Sequence, residues 1–363
     1  GQIINAMLGS VLQNEELIRV NEEFTKLLMG ENNSQEGRIA QLKEFEAMLS
    51  EKISAHMKGT TIKLDITPPS LKKVFQDGTE IIVNDGVSTA IENKGHGLQR
   101  SVIFVIFRAY ADLLRKGGEG KSKALIFGIE EPELYLHPQM QRAMFAILRE
   151  ITKSDQVVFT THSSFFVDMT HYQSVCVAVK NDIASGTKII QYQGEIFPKS
   201  EEKKEFELLT QFDPERNELF FGKKVILVEG DTEKVILPIV GQLVKPEFIF
   251  YDYGITIVEC GGKESMPFFA KVLNAFRIPY VVIYDKDSGV QDTSNKIEAE
   301  VTASGGIGYT EVIDPNFEGM CATAGVNIPA GRNKAFNAFK IFKGLDAKKV
   351  PTRLKEIIEK VFA

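Results

Sequence analysis

Residues 226–234 read ILVEGDTEK, an apolar run that stops at Gly230 with Glu229, Asp231 and Glu233 gathered around it. An apolar run closed by a glycine and followed by a helical pattern reads as a buried strand passing into a helix. Glu229 and Glu233 then stand one helical turn apart and face the crevice beyond the carboxyl edge of a parallel sheet, where open α/β sheets place their sites. About fifty residues later VVIYDKDSG repeats the device, with Asp285 and Asp287 two apart and on the same side at the end of another strand. Glu318, in YTEVIDPNFEG, adds a further carboxylate. Five acids at one sheet edge repel one another unless cations sit among them. Such all-oxygen clusters suit Mg²⁺ or Mn²⁺, and two ions about 4 Å apart clamp the attacking and leaving oxygens of a phosphodiester. Asp231 reads as a first-turn acid favoured by the helix dipole.

Two strands must carry these acids, and the sequence around them alternates accordingly: strand KKVILVEG, helix DTEKVILPIVGQLV, strand ITIVEC, helix ESMPFFAKVLNAF, strand YVVIYDKD. A similar alternation stands upstream. After NKGHGLQR come the helix SVIFVIFRAYADLLRK, the strand ALIFGIEE, the helix QMQRAMFAILREI and the strand QVVFTTHS. The pattern predicts two layered α/β domains in series, without an internal repeat. Residues 1–58 read as polar-faced helices broken at GENNSQEG (30–37), with Ile39, Leu42, Phe45, Leu49 and Ile53 on one stripe that needs a partner surface. TIKLDITPPSLKKVFQDGTEIIVNDG reads as strands and a hairpin with a Gln-Asp-Gly turn. Within 181–220, NDIASGTKIIQYQG reads as a hairpin and the rest as a charged helical or loose stretch, so a boundary is expected near Phe220.

A chain of 363 residues exceeds one ordinary core. Its net charge of −6 argues against a protein that coats nucleic acid through general basicity, and leaves room for a local groove or a metal-mediated phosphate contact. No apolar stretch approaches the roughly 20 residues of a membrane span. GQIINAMLGSVLQNEE lacks the basic and apolar regions of a signal peptide, and Cys176, Cys260 and Cys321 form neither a disulfide framework nor a CxxC metal site. A soluble cytoplasmic protein, with no membrane partner, is the expectation.

EGDTE followed by DKD resembles the Toprim domain, the fold shared by topoisomerases, primases and certain nucleases. The resemblance implies that Glu229, Asp285 and Asp287 bind the metals, and Glu233 and Glu318 resemble the additional acids of the nuclease branch. NKAFNAFKIF and VPTRLKEIIEKVF are similar to the lysine-bearing C-terminus of that branch, which puts the lysine at Lys334, with Lys340 or Lys343 as alternatives.

The upstream half resembles an ABC-type ATPase. ALIFGIEEPELYLHP is similar to its Walker B element, implying that Glu130 helps hold Mg²⁺ through water and Glu131 polarises the attacking water; the family usually has Asp where Glu130 stands. QVVFTTHSS places His162 where that family senses the γ-phosphate. NKGHGLQRS resembles the signature motif, so Gly95, Gly97, Gln99 and Arg100 are candidate nucleotide contacts at a helix N-terminus. His137 reads as structural, and His56, His96 and His171 lack metal-ligand spacing. No GxxxxGKS occurs; GGEGKS (117–122) follows a helix and has Arg115 where the first glycine should stand, so it reads as a loop. The chain is therefore expected to begin partway through its ATPase domain, or to have its other half on a separate chain.

An ABC ATPase half joined to a Toprim domain resembles the OLD (overcoming lysogenization defect) family of nucleases, which includes the nuclease subunit of Gabija-type phage defence. The fold implied is α/β: a helical dimerisation segment (1–58), the C-terminal half of an ABC ATPase (59–180), a linker (181–220) and a Rossmann-like Toprim nuclease domain (221–363). The activity implied is a metal-dependent endonuclease or nickase acting on double-stranded DNA. It would be homodimeric, with two Mg²⁺ or Mn²⁺ ions per Toprim site, ATP in the full-length protein, and a helicase or other defence subunit as a further partner. A topoisomerase or primase would need modules for which there is no room. A non-catalytic SMC-like or recombination-mediator scaffold that binds DNA would account for the ATPase half but would not require the second acid cluster, and a small-molecule phosphohydrolase is the remaining enzymatic alternative.

Overall fold

The computed structural model describes residues 8–31, 36–116, 125–180, 184, 186–211, 214–247, 249–286, 291–329, 331 and 333–362. They form two compact units, divided after Thr160.

In the first unit, helix α1 (Glu15–Met29) starts where Asn14 Oδ1 accepts the amides of Glu16 (3.0 Å) and Leu17 (3.3 Å). Glu15 and Glu16 there meet the positive end of the helix dipole. Helix α2 (Ala40–Ser54) follows. The stripe Ile39, Leu42, Phe45, Leu49 and Ile53 has the expected spacing, yet none of the five is buried, and Phe45 is 46% exposed. What is buried is an ion pair, Arg38 Nη1 to Glu46 Oε1 at 2.8 Å. Glu46 Oε1 also accepts the Leu64 amide at 2.6 Å, and Arg38 donates to the carbonyls of Leu28 and Leu64, so the buried pair has hydrogen-bond partners on both sides.

Residues 71–78 depart from the strand reading: they form helix α3 (Leu71–Gly78). Ser70, just after Pro68-Pro69, caps it by accepting the Lys73 amide at 3.3 Å, and Leu71, Val74 and Phe75 have helical spacing. The hairpin lies beyond, between β1 (Ile82–Asn84) and β2 (Ser88–Ala90). Its turn is held by Asn84 Oδ1 on the Gly86 amide (3.0 Å) rather than by Gln-Asp-Gly. Next come α4 (His96–Lys116), β3 (Ile126–Glu130), α5 (Pro138–Ile151) and β4 (Gln156–Thr160). Strands β3 and β4 pair in parallel with Glu130 opposite Thr160.

In the second unit, β5 (Cys176–Val179) and β6 (Lys188–Gln191) form an antiparallel ribbon, followed by α6 (Ser200–Gln211). Then the sheet that carries the acids is built from β7 (Lys224–Val228), α7 (Asp231–Val244), β8 (Ile255–Glu259), α8 (Met266–Phe276), β9 (Tyr280–Asp285), α9 (Gln291–Ala303) and β10 (Gly308–Ile313). Helices α10 (Phe317–Thr323), α11 (Lys334–Lys343) and α12 (Thr352–Phe362) complete it. The four strands run parallel in the order β10-β9-β7-β8.

Alternation along β7 explains its continuous apolar run. Val225 and Leu227 enter a core with Phe269, Leu273, Phe276 and Val282, whereas Ile226 and Val228 enter another with Ile236, Leu237, Phe317, Phe342 and Leu354. A strand covered on both faces needs no polar side. The described part of the 181–220 segment also belongs to the first of these cores, through Ile196, Phe197, Phe206, Leu219 and Phe220.

Candidate functional site

The carboxyl ends of β7 and β9 are adjacent strands' ends, and the side chain of Glu229 bridges them: its Oε1 accepts the Asp285 backbone amide at 2.7 Å. The Glu229 carbonyl in turn accepts the Gly262 amide at 2.9 Å, tying in the loop after β8. Glu233, in the first turn of α7, is buried (8% exposed), and its Oε2 accepts the Gly230 amide at 3.2 Å. Burial pushes the Glu233 carboxyl above its ordinary range; the Glu229 charge adds to the rise, while backbone amides and Lys334 oppose it. Glu318, in the first turn of α10, is ion-paired with Lys334 at the start of α11. The structure therefore brings Glu229, Asp285, Glu233, Glu318 and Lys334 to one region. Asp287 lies outside the described residues.

Of the three candidate lysines, Lys334 is the one ion-paired with Glu318. Lys340 lies 4.4 Å from the centroid of the Phe336 ring and Lys343 5.4 Å from that of Phe339. Asp231 is exposed in the first turn of α7, the place of a dipole-favoured acid.

Two further residues stand at this edge: Cys321, which the sequence shows only as a cysteine outside any disulfide or CxxC pattern, and Lys263. Cys321 on α10 is buried, and burial pushes its thiol up to about 12, with the Asp285 and Glu233 charges adding to the shift. Lys263 follows Gly261 and Gly262, whose φ values of 78° and 116° only glycine adopts readily, so the chain folds back over the sheet edge. The lysine is 7% exposed; its Nζ donates to the Asp285 carbonyl at 2.5 Å and lies 4.9 Å from the Tyr284 ring centroid. A GGK after a strand end was the available signal.

Among the described residues, no group of three or more His, Cys, Asp or Glu has the spacing to hold a metal ion. The chemistry of the donors does fit a hard divalent cation: they are carboxylates, one of them buried and held above its ordinary pKa. A cleft of about 450 Å³ between α7 and β8, lined by Lys234, Pro238, Gln242, Tyr251 and Thr256 among others, includes none of these acids.

In the first unit, Gly95 immediately precedes α4, and Gly97, Gln99 and Arg100 occupy its opening turns. Gln99 Nε2 donates to the carbonyls of Lys94 (2.7 Å) and Glu92 (3.2 Å), closing the turn before the helix. Glu130 ends β3 and is exposed. Glu131 has φ 42°, a conformation that costs a non-glycine residue energy, and its amide is clasped by the Thr160 carbonyl (3.1 Å) and Oγ1 (3.3 Å). His162, two residues beyond β4 and just inside the second unit, is exposed. GGEGKS lies outside the described residues.

Residues 6–167 match the AAA ATPase domain family, and residues 220–287 match the TOPRIM domain of overcoming lysogenization defect protein-like sequences. The OLD nuclease of Thermus scotoductus (strain ATCC 700910 / SA-01) is 30% identical over 292 residues, a match covering 74% of this chain and 52% of that protein. The Old nuclease of Escherichia phage P2 is 26% identical over 310 residues, covering 79% and 49%. Endonuclease GajA of Bacillus cereus (strain HuB5-5) is 27% identical over 225 residues, covering 55% and 32%. The chain spans about half the length of the first two curated relatives. The solved C-terminal region of the Burkholderia pseudomallei OLD protein aligns with a TM-score of 0.30 at 16% identity, covering 40% of this chain and 100% of that one.

Proposed function

With an AAA ATPase region followed by an OLD-like TOPRIM domain the chain is a member of the OLD family, and we propose that it is a metal-dependent endonuclease that nicks or cuts double-stranded DNA at the acid-lined sheet edge of its second unit. The observation that carries this reading is the Glu229 to Asp285 hydrogen bond, which fixes the acids of two strands against each other.

Glu229, Glu233, Asp285, Asp287 and Glu318 would hold two Mg²⁺ or Mn²⁺ ions, whose charge stabilises the attacking and leaving oxygens of a phosphodiester. The remaining work falls to the chain. Glu233 is itself buried, and charge interactions there are stronger than at an exposed position. Lys334, held by Glu318 in the structure, would exchange that partner for a phosphate oxygen as negative charge develops on it. Gly95, Gly97, Gln99, Arg100, Glu130 and Glu131 of the first unit, and His162 just past the division, are proposed to take part in binding and turning over ATP in the longer protein, with Glu131 orienting the water.

The unburied stripe on α2 supports a homodimer through residues 1–58. Residues 59–180, 181–220 and 221–363 would be ATPase half, connector and nuclease domain, with a helicase or other defence subunit as a further partner. Among the described residues no helix is long and apolar enough to cross a membrane, and a cytoplasmic site of action is part of the proposal. Incubation with supercoiled plasmid tests it: nicking that requires Mg²⁺ or Mn²⁺ and stops with a chelator is expected. Hydrolysis of a generic phosphoester without attack on the plasmid would replace the nuclease reading with a small-molecule phosphohydrolase.

A further inference from the structure

On that metal-site reading, we propose that Lys263 is a positioning residue: it holds the carbonyl of Asp285 while Glu229 holds the amide, and so fixes the orientation of the Asp285 peptide at the end of β9.

The Asp285 peptide is clasped at both ends by charged side chains. Glu229, just past β7, accepts its N–H at 2.7 Å, and Lys263, from the loop after β8, donates to its C=O at 2.5 Å. One residue on, the Lys286 amide donates to the Ile313 carbonyl of β10 at 2.8 Å, and Lys286 Nζ pairs with Asp314 at 2.6 Å. The exit of β9 is thus tied to the ends of the other three strands, and Lys263 is the tie from the β8 side.

Burial separates this role from a direct contact with nucleic acid. Lys263 is 7% exposed, with its ammonium against the Tyr284 ring and a main-chain oxygen, so it is not presented to a phosphate. Burying an ammonium is costly unless it is paired, and the Asp285 carbonyl and the Tyr284 ring are what it meets. Polar partners behind a ligand shell fix the shell's orientation, and their loss typically weakens metal binding about 10- to 100-fold.

Calorimetric titration of the metal-free chain with Mn²⁺ tests the assignment without relying on activity. Lys263→Met is expected to weaken Mn²⁺ binding by about 10- to 100-fold. Lys263→Gln, which keeps an N–H donor of shorter reach, should fall between it and the unmodified chain, and carries the test if the methionine variant does not fold. Glu311→Gln is the structural control: Glu311 is 2% exposed and anchors Arg353 and Lys360 of α12 to β10. It should leave Mn²⁺ affinity unchanged at a comparable loss of melting temperature. Unchanged Mn²⁺ affinity in the folded Lys263 variants, with binding abolished in Asp285→Ala, overturns the inference and leaves the metal site standing. An equal loss in Glu311→Gln also overturns it, by showing general loosening. Wild-type affinity in Asp285→Ala would overturn the metal-site reading itself, and this inference with it.

Discussion

The two sheets that carry the motifs of this chain are built differently. In the second unit, β7 and β9 are buried on both faces almost to their last residue, and the acids begin where the burial ends. In the first unit, β3 and β4 alternate half-buried and exposed positions, leaving Ile126 72% and Val158 65% exposed. The acid edge is therefore fixed by two cores and by side chains that cross from strand to strand. Glu131 and Glu130 stand at the end of a two-stranded ribbon, and what positions Glu131 is a backbone clasp by Thr160. A site held by cores is preorganised without its ligand, whereas one at the end of a half-covered ribbon depends more on whatever binds it.

The sharpest way to break that comparison is to remove an acid from the preorganised edge. Glu229→Ala should reduce divalent-dependent plasmid nicking by roughly three orders of magnitude or more, since it takes away a proposed ligand and the Asp285 hydrogen bond together. Melting should stay close to wild type, and retained nicking would move the chemistry elsewhere. Packing offers the next largest contrast. Phe276, fully buried and edge-on to Phe220 with ring centroids 5.0 Å apart, should cost about 3–5 kcal/mol on replacement by Ala. Val158→Ser should stay within about 0.5 kcal/mol, because its side chain is mostly in water. Urea unfolding checks both, and equal costs would erase the difference between the two sheets.

Lys334→Ala is expected to slow nicking by about 100-fold, because a positioned cation stabilises developing phosphate charge without replacing a metal. A loss of that size in Lys340→Ala with Lys334→Ala near the wild-type rate would show that the lysine stacked on Phe336 acts instead. The smallest effect concerns Glu233. Its folded-state pKa is raised above the ordinary 4.5, so the folded protein holds an extra proton in the window just above that value. The stability this supplies is complete below 4.5 and is lost as pH rises through the folded pKa. Glu233→Gln should therefore melt higher than wild type in metal-free solution near neutral pH, with the gap closing toward pH 4.5. A gap that widens on acidification would reverse the sign of the shift.

Much of the second unit was legible in the sequence because its physics is local. ILVEGDTEK and YVVIYDKD show a double-covered strand, a break and acids within a few residues, and the structure places Glu229, Glu233 and Asp285 accordingly. The hairpin between 82 and 90 was legible as well, but the eight residues of α3 were read as part of it. Two β-prone residues, Val74 and Phe75, masked a capped helix whose start depends on a single Ser70 hydrogen bond. Lys263 and the place of Cys321 escaped for a different reason: GGK marks a turn but not the Asp285 carbonyl that the lysine reaches from the β8 side, and nothing local sets Cys321 near the charges of Asp285 and Glu233. The stripe on α2 was legible as a pattern, while the burial of Arg38 and Glu46 in place of that stripe was not. Pairing a charge inside requires knowing which carbonyls lie nearby.

The most direct measurement compares Asp285→Ala with Glu131→Gln in nicking of supercoiled plasmid by the same chain with Mn²⁺. Glu131→Gln is expected to nick at nearly the wild-type rate and Asp285→Ala to be inactive while still folded. Wild-type nicking by Asp285→Ala, or a loss as deep in Glu131→Gln, would show that the acid edge of the second unit is not where the phosphodiester is cut.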